Sequence, residues 1–210
     1  MTKFIVHDEP VGRAQSNYIA QADLAPFGLD GQVEQLWLKP LNDGTFSIAC
    51  IPFQTYGLAL GDRVRLSAND QVSEVVGPSS HRVLRMLLMP APDQKQLTET
   101  IDRIRTEIDA AGLLSEWNGD RHVAVDIPPE ANPSTLFNIM QREVSEGRAF
   151  WEWADAMPFS APKAELSRWT RSTASSRLRE DPSSEKRERC TAIHGPLQRF
   201  NPVDVTFDDA

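Results

Sequence analysis

The chain has 210 residues, of which 40% are hydrophobic and 25% charged, so it is a soluble globular protein with room for one ordinary domain or two small ones. A formal charge of -8 argues against a broad nucleic-acid footprint and against general affinity for anionic lipid. The opening MTKFIVHDEP lacks an apolar signal region and no window is long and apolar enough to span a bilayer, so neither export nor membrane insertion is expected.

The two cysteines, Cys50 and Cys190, are far apart and neither has a second cysteine at metal-like or redox spacing. Solitary thiols of this kind point to a reduced, cytoplasmic chain. Cys50, inside the apolar run FSIACIPF, reads as a small buried hydrophobe.

Taken in chain order, residues 1–90 read mainly as strands. SNYIAQADL alternates in part and fits an edge strand. QVEQLWLKPL sets Val33, Gln35, Trp37 and Lys39 on one face and Glu34, Leu36 and Leu38 on the other, and Pro40 ends it. Asn42 to Gly44 form a turn signal, with TFSIACI as the return arm. DRVRLS and QVSEVV follow as short strands, and GPSS breaks the chain before HRVLRMLLM. Short strands separated by turn signals predict a small β-barrel-like module or a curled antiparallel sheet.

Residues 81–156 alternate strand and helix. Asp93 is an N-cap for a helix whose apolar stripe is Leu97, Ile101, Ile104, Ile108 and Ala111, with Gly112 as its stop. RHVAVDI is a compact strand. A second helix starts near Asn132 and Pro133, carries Leu136, Ile139, Met140 and Val144, and stops at Gly147. RAFWEW closes the module. The order β-α-β-α-β makes this an α/β module of split-βαβ type packed on the first, so the fold class is α+β. From 162 to 210 the chain is rich in Ser, Arg and Glu, a composition that predicts a disordered tail.

Several features together resemble a known family. The features are Glu34, Leu36 and Trp37, then Ile51-Pro52-Phe53, then Gly57, Leu60, Gly61 and Asp62, and finally Arg82 and Val83. In this order they resemble a bacterial family, domain of unknown function 4265, over roughly residues 6–153. The resemblance supports the extent of the folded part; it implies no activity, cofactor or catalytic residue, and the tail lies beyond it.

The stretch IPFQTYGLALGD, Ile51 to Asp62, admits two readings. Turn chemistry explains most of it: Pro52 fixes the exit from a strand, Phe53 and Tyr56 plug the end of the first module, and Gly61-Asp62 starts the next strand. The functional reading makes Tyr56 and Asp62 a recognition edge. His81 and Arg82, after Ser79 and Ser80, form a candidate polar pocket, though no nucleophile elbow or phosphate loop is present. His122 and Asp126 lie four apart on a strand, too spread for a metal, and Cys190 and His194 fall in the tail. No metal site and no cofactor is expected. Asp126 and Glu130 in DIPPE are two nearby acids, but Pro128 and Pro129, ending a strand and leading to a helix cap, account for the stretch more simply than an acid-base pair does.

Trp151 and Trp153 share one face of RAFWEW, opposite Phe150; they fit a half-buried strand, or a partner-binding hot spot if exposed. The tail carries Arg168, Arg171, Arg177, Arg179 and Trp169, the one place where RNA or an acidic partner could bind, but acids dilute its charge. Two function classes remain. One is a non-catalytic cytoplasmic binding or adaptor protein, in a specialised form an immunity-type protein, whose partner is another protein or a small molecule held between the two modules. The other is an enzyme of unknown reaction with its site at Tyr56, Asp62, His81 and Arg82.

Overall fold

Alternating side chains fix the first layer. In the computed structural model, which describes residues 2–13, 18–90 and 93–161, the long strand β3 (Gln32–Pro40) turns Glu34, Leu36 and Leu38 inward. Its neighbours are β1 (Lys3–Ile5), β2 (Tyr18–Asp23) and β4 (Phe46–Ile48), followed by β5 (Arg63–Leu66) and β6 (Val72–Gly77). They form a six-stranded sheet in the order β1-β3-β4-β5-β6, with β2 also paired to β3. β1 meets the start of β3 in parallel, and the other pairings are antiparallel. Ala20, Ala22, Leu36, Leu38, Ile48, Cys50, Leu58, Val64 and Val72 form its core.

The sheet curls but does not close. The start of β6 approaches β2 through a single bridge, Gln21 to Gln71, and no ladder joins the two strands among the described residues. β1 is an addition to the expected elements: KFI is too short for its alternation to stand out.

The second layer has the strands β7 (Arg82–Leu88), β8 (Leu114–Asn118), β9 (His122–Ile127) and β10 (Ala149–Trp153), with helices α1 (Gln94–Ala110) and α2 (Ser134–Ser145). The sheet order is β10-β7-β9-β8 and every pairing is antiparallel. The connection is thus β-α-β-β-α-β, the split βαβ arrangement, rather than the β-α-β-α-β expected. The strand missed is β8: LSEWN has no run of β-branched residues, and its hairpin with β9 turns through Gly119. The coarse class is α+β, with one mixed sheet, one antiparallel sheet and two α-helices among the described residues.

The helices follow their expected stripes. Asp93 caps α1 by accepting a hydrogen bond from the Lys95 N–H, and Leu97, Ile104 and Ile108 are buried. Thr100 joins them, whereas Ala111 is exposed beyond the last turn. α2 buries Leu136, Ile139, Met140 and Glu143. Both helices cover the face of the second sheet that carries Leu84, Met86, Leu88, Val123, Val125 and Ile127. Fully burying a side chain of that size contributes about 1.5–3 kcal/mol.

The other face of the second sheet meets the first layer. The described residues fall in one compact unit, and Ile51, Phe53, Ala59, Val83, Ala124 and Ala154 form a small core of their own, with Ile5 and Val11 against it. None of the helices is long and apolar enough to cross a membrane among the described residues. The tail expectation falls on 162–210, outside the described residues.

After β10 a 3-10 turn at Ala154–Ala156 leads back over Gly57. Gly57 has φ +68°, its N–H donates to the Ala154 carbonyl at 2.8 Å, and an added Cβ would lie 2.0 Å from the Phe159 nitrogen. Substitution Gly57→Ala is expected to cost well over about 1 kcal/mol, since both the backbone angle and the space oppose it. Urea denaturation measures this; a smaller loss would mean that the returning segment shifts freely.

Candidate functional site

An acid on the inward phase of β3 needs partners, because an ionised carboxylate out of water is costly unless it is paired and hydrogen-bonded. Glu34 is 0% exposed. Its Oε1 accepts from the Phe53 N–H at 2.5 Å and faces His7 Nε2 at 3.2 Å. Its Oε2 accepts from the N–H of Gln54 at 3.1 Å, from the N–H of Thr55 at 2.7 Å, and from the Thr55 hydroxyl at 2.6 Å. Three consecutive residues of the IPFQTYGLALGD stretch, Phe53 to Thr55, are therefore wrapped around one carboxylate.

A second acid comes from β8. Glu116 Oε1 accepts from the N–H groups of Ile51 and Val11, at 2.8 and 3.0 Å, and Oε2 faces His7 Nδ1 at 2.5 Å. The imidazole of His7 thus lies between two carboxylates, stacked on Phe53 with centroids 4.4 Å apart. With both ring nitrogens donating it is an imidazolium. Burial pushes its pKa down, but the surrounding Cys50, Glu116 and Glu34 outweigh that and raise it to about 12. Burial pushes Glu34 up, and the hydrogen bond and charge of His7, then the Arg85 charge and the Thr55 hydroxyl, bring it down to about 2. Cys50 is fully buried beside this pair, and burial raises its thiol pKa.

Arg85, on β7, completes the cluster. It is buried; its Nε donates to the Pro52 carbonyl at 3.2 Å, Nη2 donates to the Thr55 carbonyl, and Nη1 reaches Glu152 at 3.4 Å. Register places Glu152, Arg85, Ala124 and Glu116 in one row across the four strands of the second sheet. Nearby His122 is held down to about 4, first by burial and then by the Arg85 charge. Glu34, Glu116, His7 and Arg85 carry two charges of each sign, so the buried cluster is neutral.

The expected site residues have these places. Tyr56 is half-buried; its hydroxyl donates to Glu152 at 2.6 Å and the Arg85 guanidinium lies 4.9 Å from its ring centroid. Burial, then the Glu152 carboxylate, raises its pKa to about 12. Asp62 is buried and clamps a turn: Oδ2 accepts from the Ala59 N–H at 2.8 Å, and Oδ1 from the Ser79 N–H at 2.6 Å. His81 donates its own N–H to Ser79 Oγ at 3.2 Å, so Ser79 links Asp62 to His81, while the ring Nδ1 contacts both oxygens of Asp126 at 2.9 and 3.0 Å. Asp126 is buried, and burial raises its pKa.

Arg82 makes a two-pronged ion pair with Asp155 and lies 3.7 Å over the Trp153 ring. Trp151 and Trp153 are half-buried on the helix face, each 5.6 Å from Phe137 of α2. The exposed aromatic of FWEW is Phe150. Structure thus gathers Tyr56 into the Arg85 network and joins Asp62 to His81, but leaves Trp151 and Trp153 in the helix-side core. The sequence pattern does not mark His7, Glu116 or Arg85 as site residues. Glu34 and Arg85 did carry a signal, a charge on a strand phase otherwise apolar; His7 carried none. Among the described residues no group of three metal-ligating side chains is placed to hold an ion.

Comparison with known proteins adds a family and a fold. The family model described as domain of unknown function (DUF4265) matches residues 34–153, more than half of the chain and the span from the buried Glu34 to Trp153. A crystal structure of a hypothetical protein from Neisseria gonorrhoeae is similar at a TM-score of 0.51 and 19% identity, over 70% of this chain and 99% of that one. At that identity the likeness speaks for the fold alone. No protein of curated function matches.

Substitution Glu34→Gln leaves His7 and Arg85 short of a charge and is expected to cost about 3–5 kcal/mol, the usual loss when one member of a buried ion pair is removed. A loss under about 1 kcal/mol would mean that the cluster behaves as a surface pair. The pH profile is a separate check. His7, held protonated to about 12, adds stability that is complete below its ordinary 6.5 and is lost as pH rises. Glu34 adds stability that is complete above 4.5 and is lost as pH falls toward 2, and His122, kept neutral to about 4, begins its acid-side loss at 6.5. Stability by urea denaturation should peak near pH 6.5 and fall by about 1.4 kcal/mol per pH unit on either side; a flat profile through neutrality would contradict it.

Proposed function

The chain belongs to the DUF4265 family, and we propose that it is a non-catalytic binding or adaptor protein of the bacterial cytoplasm, in its most specific form an immunity-type protein that neutralises a basic partner. The observation that carries this reading is the cross-strand pair of Phe150 and Leu87, 63% and 44% exposed. Both face away from the helices. Contiguous large apolar groups left in water mark contact surfaces, and aromatic residues anchor them. The net charge of -8 favours a positively charged partner through steering.

A ligand held between the two layers is not part of this proposal. That space is filled by His7, Phe53 and the buried charges, so the partner docks on the outside. The anchoring role passes from Trp151 and Trp153 to Phe150. Nucleic acid enters only through the tail at 162–210.

The second reading is an enzyme of unknown reaction around His81. Its support is that the His81 side chain is 30% exposed while Nδ1 rests on the buried Asp126, which leaves Nε2 to exchange protons. Its weakness is that Tyr56, Asp62 and Arg82 are engaged by Glu152, by the Ala59 and Ser79 N–H groups and by Asp155.

Affinity capture from the native host, with the full chain, with the chain ending at Ala161 and with Phe150→Asp, tests the adaptor reading. One specific partner is expected with the first two and at least ten-fold less with the third. Phe150→Asp should shift stability by no more than about 0.5 kcal/mol, as a surface substitution. Capture that is indifferent to Phe150→Asp, or no specific partner in any form, would overturn the reading.

A further inference from the structure

Strand β10 stands at one edge of the second sheet and pairs with β7 alone. The Met89 N–H donates to the Arg148 carbonyl at 2.7 Å, one step before the Ala149–Leu88 pair. Bonded and non-bonded pairs alternate along an antiparallel ladder, so Phe150 and Glu152 direct their backbone groups at Leu87 and Arg85. Leu88 agrees with this phase, because its own N–H turns the other way, to the Arg121 carbonyl beside β9. Ala149, Trp151 and Trp153 therefore turn N–H and C=O outward, and no backbone partner meets them among the described residues.

A row of open backbone groups is a template for another strand, and folded proteins blunt it with a proline, a lysine, a bulge or a cover. AFWEW contains neither proline nor lysine, and its register with β7 runs unbroken from Ala149 to Trp153. Its single charge is Glu152, whose side chain is 43% exposed. Glu152 shares a face of the strand with Phe150, which is exposed beside Leu87. The edge is thus open, apolar and acidic at one point.

Resting on the adaptor reading, we propose that the partner docks by adding an extended segment to the outer edge of β10 as an antiparallel strand. Every pairing already in this sheet is antiparallel. The segment's backbone takes up the open groups of Ala149, Trp151 and Trp153 and supplies affinity, while its alternate side chains supply selection. In that direction the residue opposite Glu152 comes two positions before the one opposite Phe150. Charge selects lysine or arginine at the first place, in keeping with the net charge of -8. The surface of Phe150 and Leu87 selects an aliphatic side chain at the second. A β-branched residue between them lies on Trp151, half-buried on the opposite face.

The probe is the pentapeptide acetyl-Thr-Lys-Thr-Val-Thr-amide, titrated into the full chain and followed by backbone amide NMR. Saturable shifts are expected at Ala149, Trp151 and Trp153, with slower solvent exchange of their N–H groups. The Phe150 and Glu152 N–H groups, bonded to β7, should keep their exchange rates. In this register the threonine nitrogens face β10 and those of lysine and valine face solvent. N-methylation of the middle and last threonines should weaken binding at least ten-fold, and N-methylation of lysine and valine should leave it within about two-fold. Glutamate in place of lysine should weaken it about five-fold, since a cross-strand attraction becomes a repulsion. All these changes are made in the peptide, so the fold of the protein is untouched. No shifts with millimolar peptide, equal loss from the two methylated peptides, or indifference to glutamate would overturn the proposal. A host partner captured through Phe150 that leaves the Ala149, Trp151 and Trp153 N–H groups exchanging as in the free chain would overturn strand addition alone. Failure of the adaptor reading shows separately, as capture indifferent to Phe150→Asp.

Discussion

Two carboxylates that cannot reach water organise this protein. Glu34 from the first sheet and Glu116 from the second share one imidazolium, His7, and between them they take up the N–H groups of Val11, Ile51, Phe53, Gln54 and Thr55. Those N–H groups lie in loop segments that run between two sheets, where no ladder supplies partners. Buried backbone donors must be paired, and here side-chain anions do it. Arg85 performs the complementary task for the Pro52 and Thr55 carbonyls. The connection between β4 and β5 is consequently as well fixed as a strand, although it has no regular structure.

This arrangement decides how the conspicuous residues of that connection should be understood. Phe53 is a platform for His7, Tyr56 a link from Arg85 to Glu152, and Asp62 a clamp between its own turn and Ser79. Their chemistry is directed inward. Phe150 and Leu87, by contrast, are directed outward, at the end of the second sheet's inner face, next to the row of charges rather than within it.

Much of the fold was legible in the sequence because its signals are local. The alternation of QVEQLWLKPL set the inward face of β3, the Leu97, Ile104 and Ile108 spacing set α1, and Asp93 set its start. β8 escaped because its pattern is polar; its one deeply buried side chain is Glu116, so the strand and the site were missed together. The alternation of FWEW also placed Phe150 opposite Trp151 correctly, but which of the two faces met solvent depended on helices elsewhere in the chain. The buried charge cluster is legible only in part for the same reason. An acid or arginine on an apolar strand phase announces that a partner exists, and only tertiary structure says that the partner is His7.

The bond between His7 and Glu116 spans 109 positions of sequence. Closing so long a loop is entropically costly and comes late. The strands of the first sheet precede β8 in the chain, and until β8 is made His7 lacks the second of its two carboxylate partners and the Val11 and Ile51 N–H groups lack Glu116. The amino-terminal half must wait, hydrated and incompletely packed, for a residue near the middle of the chain.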